Sequence, residues 1–167
     1  MSSPDFRRSL RYSGLLMGLV VIAAAIQTRL PSGLEWRGVA PDLALAIAIA
    51  AGLHDGSMTG AAMGFLGAYL IAPQASLSPG SIYFSHILVG YLSGFPRARL
   101  YTENPLVPVA AGLAAGVLSE TFFYLLTPRS PLLWIQGAAV QGLYLMALTP
   151  VIHALLHSLG RMMESGA

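Results

Sequence analysis

The chain has no cysteine and no lysine, and charged side chains make up only 10% of its 167 residues. A soluble domain ordinarily carries about 25%. The missing cysteines exclude disulfide staples, thiolate metal sites and a cysteine nucleophile, and they leave the redox compartment open. The missing lysines leave nine arginines against seven acids, a formal net charge of +2, with the arginines scattered between apolar runs. No basic patch results, so nucleic acid is excluded as a partner. What the chain has in excess is apolar surface: 55% of its residues are hydrophobic and its mean hydropathy is +0.66. This is the composition of an integral membrane protein, with lipid as its surroundings.

A helix needs about 20 apolar residues to cross roughly 30 Å of hydrocarbon. Six runs approach that length, at 12–28, 39–53, 57–72, 82–95, 106–126 and 132–156. The expectation is an all-α integral membrane protein, a compact bundle of six transmembrane helices forming a single domain over 1–167. The first run lacks a small-residue cleavage site and reads as a retained span. Pro41 and Asp42 head the second, with proline in the first helical turn and an acid at its dipole, and Gly56 follows its end. Almost no loop separates the second and third runs, which predicts a tight antiparallel hairpin. The stretches 73–81, 96–105 and 127–131 are loops by their proline, glycine and polar content.

With six spans both termini share a side. Arg7, Arg8, Arg11, Arg97, Arg99 and Arg161 then lie on it, and Arg29, Arg37 and Arg129 on the other. Arginine is enriched on the cytoplasmic face, so the reading is a multi-pass protein of the bacterial inner membrane with both ends cytoplasmic. Trp36 and Trp134 fall at outer boundaries, as aromatic anchors at headgroup depth do.

Glycines recur at intervals of four: Gly14 and Gly18, then Gly60 and Gly64 continuing from Gly56, then Gly90 and Gly94, then Gly112 and Gly116. Each set marks one helix face on which backbones can approach, so these are helix-packing seams. Ala40, Ala44 and Ala48 form a similar small-residue face on the second run, a candidate surface for a partner helix, with Asp42 beside it as a helix cap or a contact to a partner.

Residues that could carry chemistry are few. His54 and Asp55 are adjacent, which on a helix separates them by about 100° and argues against an acid–base pair facing one substrate. They read as a turn cap. His153 and His157 have the i, i+4 spacing of two metal ligands on a helix face, but no third ligand accompanies them. No serine sits in a nucleophile motif. The sequence therefore predicts no catalytic residue, no metal site, no cofactor and no enzyme activity.

The segments PDLALAIAIAAGL, GAAMGFLGAYL, SPGSIYFSHILVGYLSGF and LSETFFYLL, in that order across residues 39–127, resemble the successive signatures of the rod shape-determining protein MreD family. One departure is specific. Many members place an aspartate near the end of the glycine-phenylalanine helix, where this chain reads YLIAPQAS, so no role for that aspartate carries over. The resemblance implies a non-catalytic membrane scaffold of the cell-elongation complex, partnering an MreC-like single-span protein and, through it, the peptidoglycan polymerase and transpeptidase. The family is also similar in fold to the S components of energy-coupling-factor transporters. That implies a second reading, a small-molecule (vitamin-type) binding subunit of a transporter. A binder needs an outward pocket with convergent polar groups; a scaffold needs small-residue faces for other helices.

Glu120 stands alone in an uncharged run. It is spaced by four from Gly116 and Gly112, which points it toward packed helices. His86 continues the stripe of Gly90 and Gly94 at the same depth, about 10 Å from the outer end at 1.5 Å per residue. The fourth and fifth runs are consecutive and antiparallel, so their glycine seams are expected to face each other, with His86 and Glu120 bonded directly or through a water. The alternatives are a protonated Glu120 bonded to Ser119, Tyr124 or the Gln136 and Gln141 pair, and a carboxylate opening to an outward cavity.

Overall fold

The computed structural model describes residues 3–29, 32–74, 78–95 and 104–165. They form six α-helices: α1 (Ser3–Gln27), α2 (Leu43–Asp55), α3 (Ser57–Ile71), α4 (Pro79–Ser93), α5 (Leu106–Leu126) and α6 (Pro131–Ser165). Two single-turn 3-10 segments lie at Ser32–Leu34 and Ala72–Gln74, and no strand occurs among the described residues. Of the arginines used for orientation, the side chains of Arg7, Arg8 and Arg11 and the whole of Arg97 and Arg99 lie outside that set.

α2 is the axis of the molecule. Its sequence is apolar on every side, and such a helix is stable only when covered all round. All ten residues from Ala44 to Leu53 are buried, and α2 contacts each of the other five helices. Its faces feed three apolar clusters. Ile47, Ala48 and Ala51 pack with Leu16 and Val20 of α1, Met63 of α3 and Leu156 of α6. Leu45, Ile49 and Leu53, spaced by four, pack with Val89, Ala115 and Leu145. Ala44 meets Ala24, Ala68, Ile82 and Phe123. The alternating alanines leave room for five neighbours at close range.

This burial corrects the proposed docking face. Ala44 and Ala48 are wholly inaccessible, as are Ala46 and Ala50, because this chain's own helices already occupy the small-residue surface of α2. Of that surface, Ala40, ahead of the helix, and the capping Asp42 remain partly exposed.

The glycine seams pair differently from a simple α4–α5 match. A Cβ on Gly60 would strike the carbonyl of Gly90, and one on Gly90 the carbonyl of Gly60; Gly64 faces the His86 carbonyl and Gly94 the Ser57 backbone. α3 and α4 are thus in backbone contact. Gly112 faces the Leu145 carbonyl, and Gly116 lies against Gly142, where a Cβ would come within 2.5 Å. α5 and α6 form the second such pair. Gly14 and Gly18 have open space around them, so that predicted seam packs against nothing among the described residues.

Helix boundaries also move. α2 starts at Leu43 because Asp42 is its cap, with its side chain accepting from Leu45 N; Pro41 therefore precedes the helix instead of sitting in its first turn. Gly56 joins α2 to α3 alone, at φ 100°, a conformation that suits glycine. Before α2, Trp36 and Val39 exchange backbone hydrogen bonds of 3.0 and 3.1 Å around Arg37 and Gly38, both at positive φ, a two-residue reverse turn. α6 continues through Pro150 to Ser165, roughly 50 Å at 1.5 Å per residue.

α5 and α6 are long and apolar enough to cross a membrane. α2, α3 and α4 have 13, 15 and 15 residues, about 20 Å each at 1.5 Å per residue, short of the hydrocarbon thickness.

Candidate functional site

Polar side chains gather at two ends of the bundle. At one end the reverse turn before α2, the last turns of α1, α3 and α5, the first turns of α4 and the start of α6 border an open cavity of about 490 Å³. Gln27, Asp42, His86, Glu120, Arg129 and Gln141 line it, together with Ala40, Ile71, Ile82 and Phe123.

The α2 amino terminus explains half of this polarity. Its first N–H groups need acceptors. Asp42 Oδ1 accepts from Leu45 N at 2.9 Å and Gln27 Oε1 accepts from Ala44 N at 3.2 Å. The second Asp42 oxygen, Oδ2, lies 3.0 Å from His86 Nε2. The ring N–H is not aligned along that line, so the two groups are in close contact without a directed hydrogen bond. Ser85 Oγ holds the other ring nitrogen at 3.2 Å while donating to the Ile82 carbonyl. His86 is 1% exposed.

The expected His86–Glu120 pair is therefore corrected: His86 pairs with Asp42. Both acids line the cavity, but α4 packs directly on α2, with Ile82 in the cluster of Ala44, Val89 in that of Leu45 and Ile49, and Gly90 and Ser93 against Gly52, which brings His86 to the α2 cap. Glu120 instead opens to the cavity, one of the alternatives that the sequence allowed. It sits against Gly137 of α6, whose missing side chain makes the space; a Cβ there would lie 2.7 Å from Glu120 Oε2. Arg129 and Asp42 are the charges that act on Glu120. Among the described residues no ion pair joins Arg129 to Glu120, and Arg129 Nη2 is buried without a hydrogen-bond partner. Arg129 was legible only as an orientation marker, and Gln27 and Gly137 carried no signal, because their roles depend on which helices meet.

At the opposite end, His54 Nδ1 lies 2.9 Å from Asp55 Oδ1. Tyr12 Oη reaches both, at 3.1 Å from His54 Nδ1 and 3.0 Å from Asp55 Oδ2. Asp55 ends α2, so its side chain can fold back, and the 100° separation does not keep the two apart. His153 and His157 surround the His54 ring at centroid distances of 6.1 and 6.3 Å. No group of three described histidines or acids is arranged to hold a metal ion.

The two tryptophans stand at the cavity end: Trp36 is 52% exposed and Trp134 packs on Tyr124. The exposed flanks of the helices are apolar, with Val21, Ile22, Phe65, Phe84, Val117, Leu133 and Val151 among the uncovered side chains. The site and fold define an all-helical protein with a membrane-like surface and a polar, charged cavity at one end. No family model, characterised protein or solved structure matches the chain.

Proposed function

We propose that this chain is a six-span protein of the bacterial inner membrane, a non-catalytic scaffold of the MreD type that binds an MreC-like single-span protein in the cell-elongation complex. One observation carries the reading. The four segments that resemble the family, dispersed over residues 39–127, converge: the first is the central helix α2, the second and third are the α3–α4 glycine seam, and the fourth brings Glu120 and Phe123 to the cavity that Asp42 and His86 also line. Signatures that assemble into one unit are more than a run of membrane-like composition. The apolar flanks and the arginine distribution support membrane insertion with both termini cytoplasmic. α5 and α6 have the length to span, while the shorter apolar stretches of α1, α2, α3 and α4 cross the remaining thickness with their flanking turns, inside the bundle where irregular backbone is tolerated.

The cavity favours a second reading, a small-molecule binding subunit. Its volume lies in the range of ligand pockets, about 300–1,000 Å³, and several polar groups converge in it. Detergent extraction of a tagged full-length chain followed by identification of its stoichiometric companions separates the two. A single-span elongation protein supports the scaffold; a shared ATPase module overturns it in favour of the binder.

A further inference from the structure

The cavity contains two charges of opposite sign that do not meet. Arg129 is always protonated, and its buried Nη2 has no hydrogen-bond partner. Glu120 opens to the same space and no hydrogen bond reaches it among the described residues. The second acid, Asp42, already accepts from Leu45 N. Its other neighbour is His86, whose Nε2 also lines the cavity and makes no directed hydrogen bond. Beside that pair stand one cation, one anion and two neutral amides, Gln27 and Gln141, around one volume. A guanidinium nitrogen buried with an unused donor is costly, and a half-buried carboxylate gains from a counter-charge. Closer approach of Arg129 to Glu120 would satisfy both, yet no ion pair joins them among the described residues.

We infer that the cavity binds a small zwitterion, its acidic group held by Arg129 and its primary ammonium by Glu120. The inference deepens the second reading, that the cavity takes a ligand, and does not depend on the scaffold. An anion alone would leave Glu120 facing added negative charge, and a cation alone would leave Arg129 unpaired. A neutral molecule would satisfy neither. The aromatic anchors Trp36 and Trp134 set the cavity at headgroup depth, where phosphoethanolamine supplies this chemistry either as a soluble molecule or as a lipid headgroup.

The test uses the full chain purified in a neutral detergent, with calorimetric titration of phosphoethanolamine, inorganic phosphate and ethanolamine. The whole probe is expected to bind at least about tenfold tighter than either half. Glu120→Gln should remove the advantage over phosphate, and Arg129→Gln the advantage over ethanolamine. Gly137→Ala, which keeps both charges but displaces the Glu120 carboxylate, should weaken binding and covers the case in which a charge variant fails to fold. Nanodiscs distinguish the source: thermal stabilisation by phosphatidylethanolamine over phosphatidylglycerol, lost in Glu120→Gln, with no binding of the soluble probe, assigns the headgroup. A probe that binds no better than phosphate, or equally well to all variants, overturns the zwitterion. Absence of binding in both the soluble and the lipid arm overturns it too. Native mass spectrometry then separates the two ideas: another retained molecule, excluded by the cavity-filling Ala40→Phe, leaves the ligand reading standing, and an empty protein removes that reading as well.

Discussion

Asp42 and His86 meet at 3.0 Å across the junction of α2 and α4, so the residue that caps the central helix is also the residue that locks a neighbour to it. Cap and cross-link share one carboxylate, with one oxygen for each task. Removal of either partner leaves the other buried without compensation, which costs about 3 kcal/mol or more in comparable pairs. Asp42→Asn and His86→Leu should each lower the thermal stability of the purified protein. The double variant should lose less than the sum by over about 1 kcal/mol. Strictly additive losses would show that the two residues act separately.

The glycine contacts predict a graded series. Gly60→Ala, Gly90→Ala or Gly116→Ala forces a Cβ into backbone of the facing helix and should destabilise by about 1–3 kcal/mol, the usual cost of overpacking. Gly14→Ala meets nothing within 4 Å and should be neutral or stabilising by about 0.5–1 kcal/mol through helix propensity. Melting of the four variants in one detergent checks the order. A destabilised Gly14→Ala would reveal a partner for α1 that the described residues do not supply.

Ala44→Leu and Ala48→Leu add bulk to an axis closed on all sides, so they should impair folding of the whole protein, again by about 1–3 kcal/mol each. The exposed Ala62 and Ala114 should accept leucine. Expression and monodispersity decide. A well-folded Ala44→Leu protein that fails only in partner recovery would restore the docking surface that the alanine spacing suggested.

Tyr12 ties α1 to the end of α2 by its hydroxyl, which reaches His54 and Asp55, and by its ring, which lies 6.0 Å from that of His54. Tyr12→Phe keeps the ring and should cost about 1 kcal/mol, read as faster hydrogen exchange in α1 with little change in α5 and α6. Uniform exchange would mean that α1 is held by its apolar contacts.

The absence of cysteine makes topology direct to measure. Single cysteines at Trp36 and Met162, 52% and 69% exposed, should react with a membrane-impermeant maleimide from opposite faces, Trp36→Cys from outside intact cells. Labelling of both from the same face would overturn the six-span reading.

Helix existence and several local devices were legible in the sequence, because they depend on neighbours along the chain. The apolar runs named all six helices, Gly56 named the α2–α3 turn, and an acid after proline named the cap of α2. Partner choice was not legible. A glycine spaced by four says that a backbone approaches that face, without saying which one, and α3–α4 and α5–α6 emerged where α4–α5 was expected. His86 had two acids at its depth, Asp42 and Glu120, and helical periodicity supplies face and height but not the rotation of one helix against another. That rotation is set by side-chain packing: ten consecutive buried residues of α2 draw α4 onto its cap, while α6 presents Gly137 and leaves Glu120 room to face the cavity. Composition alone determined the apolar surface and the scarcity of charge. Only the tertiary structure decided that the few charges left would be divided between a closed pair and an open one.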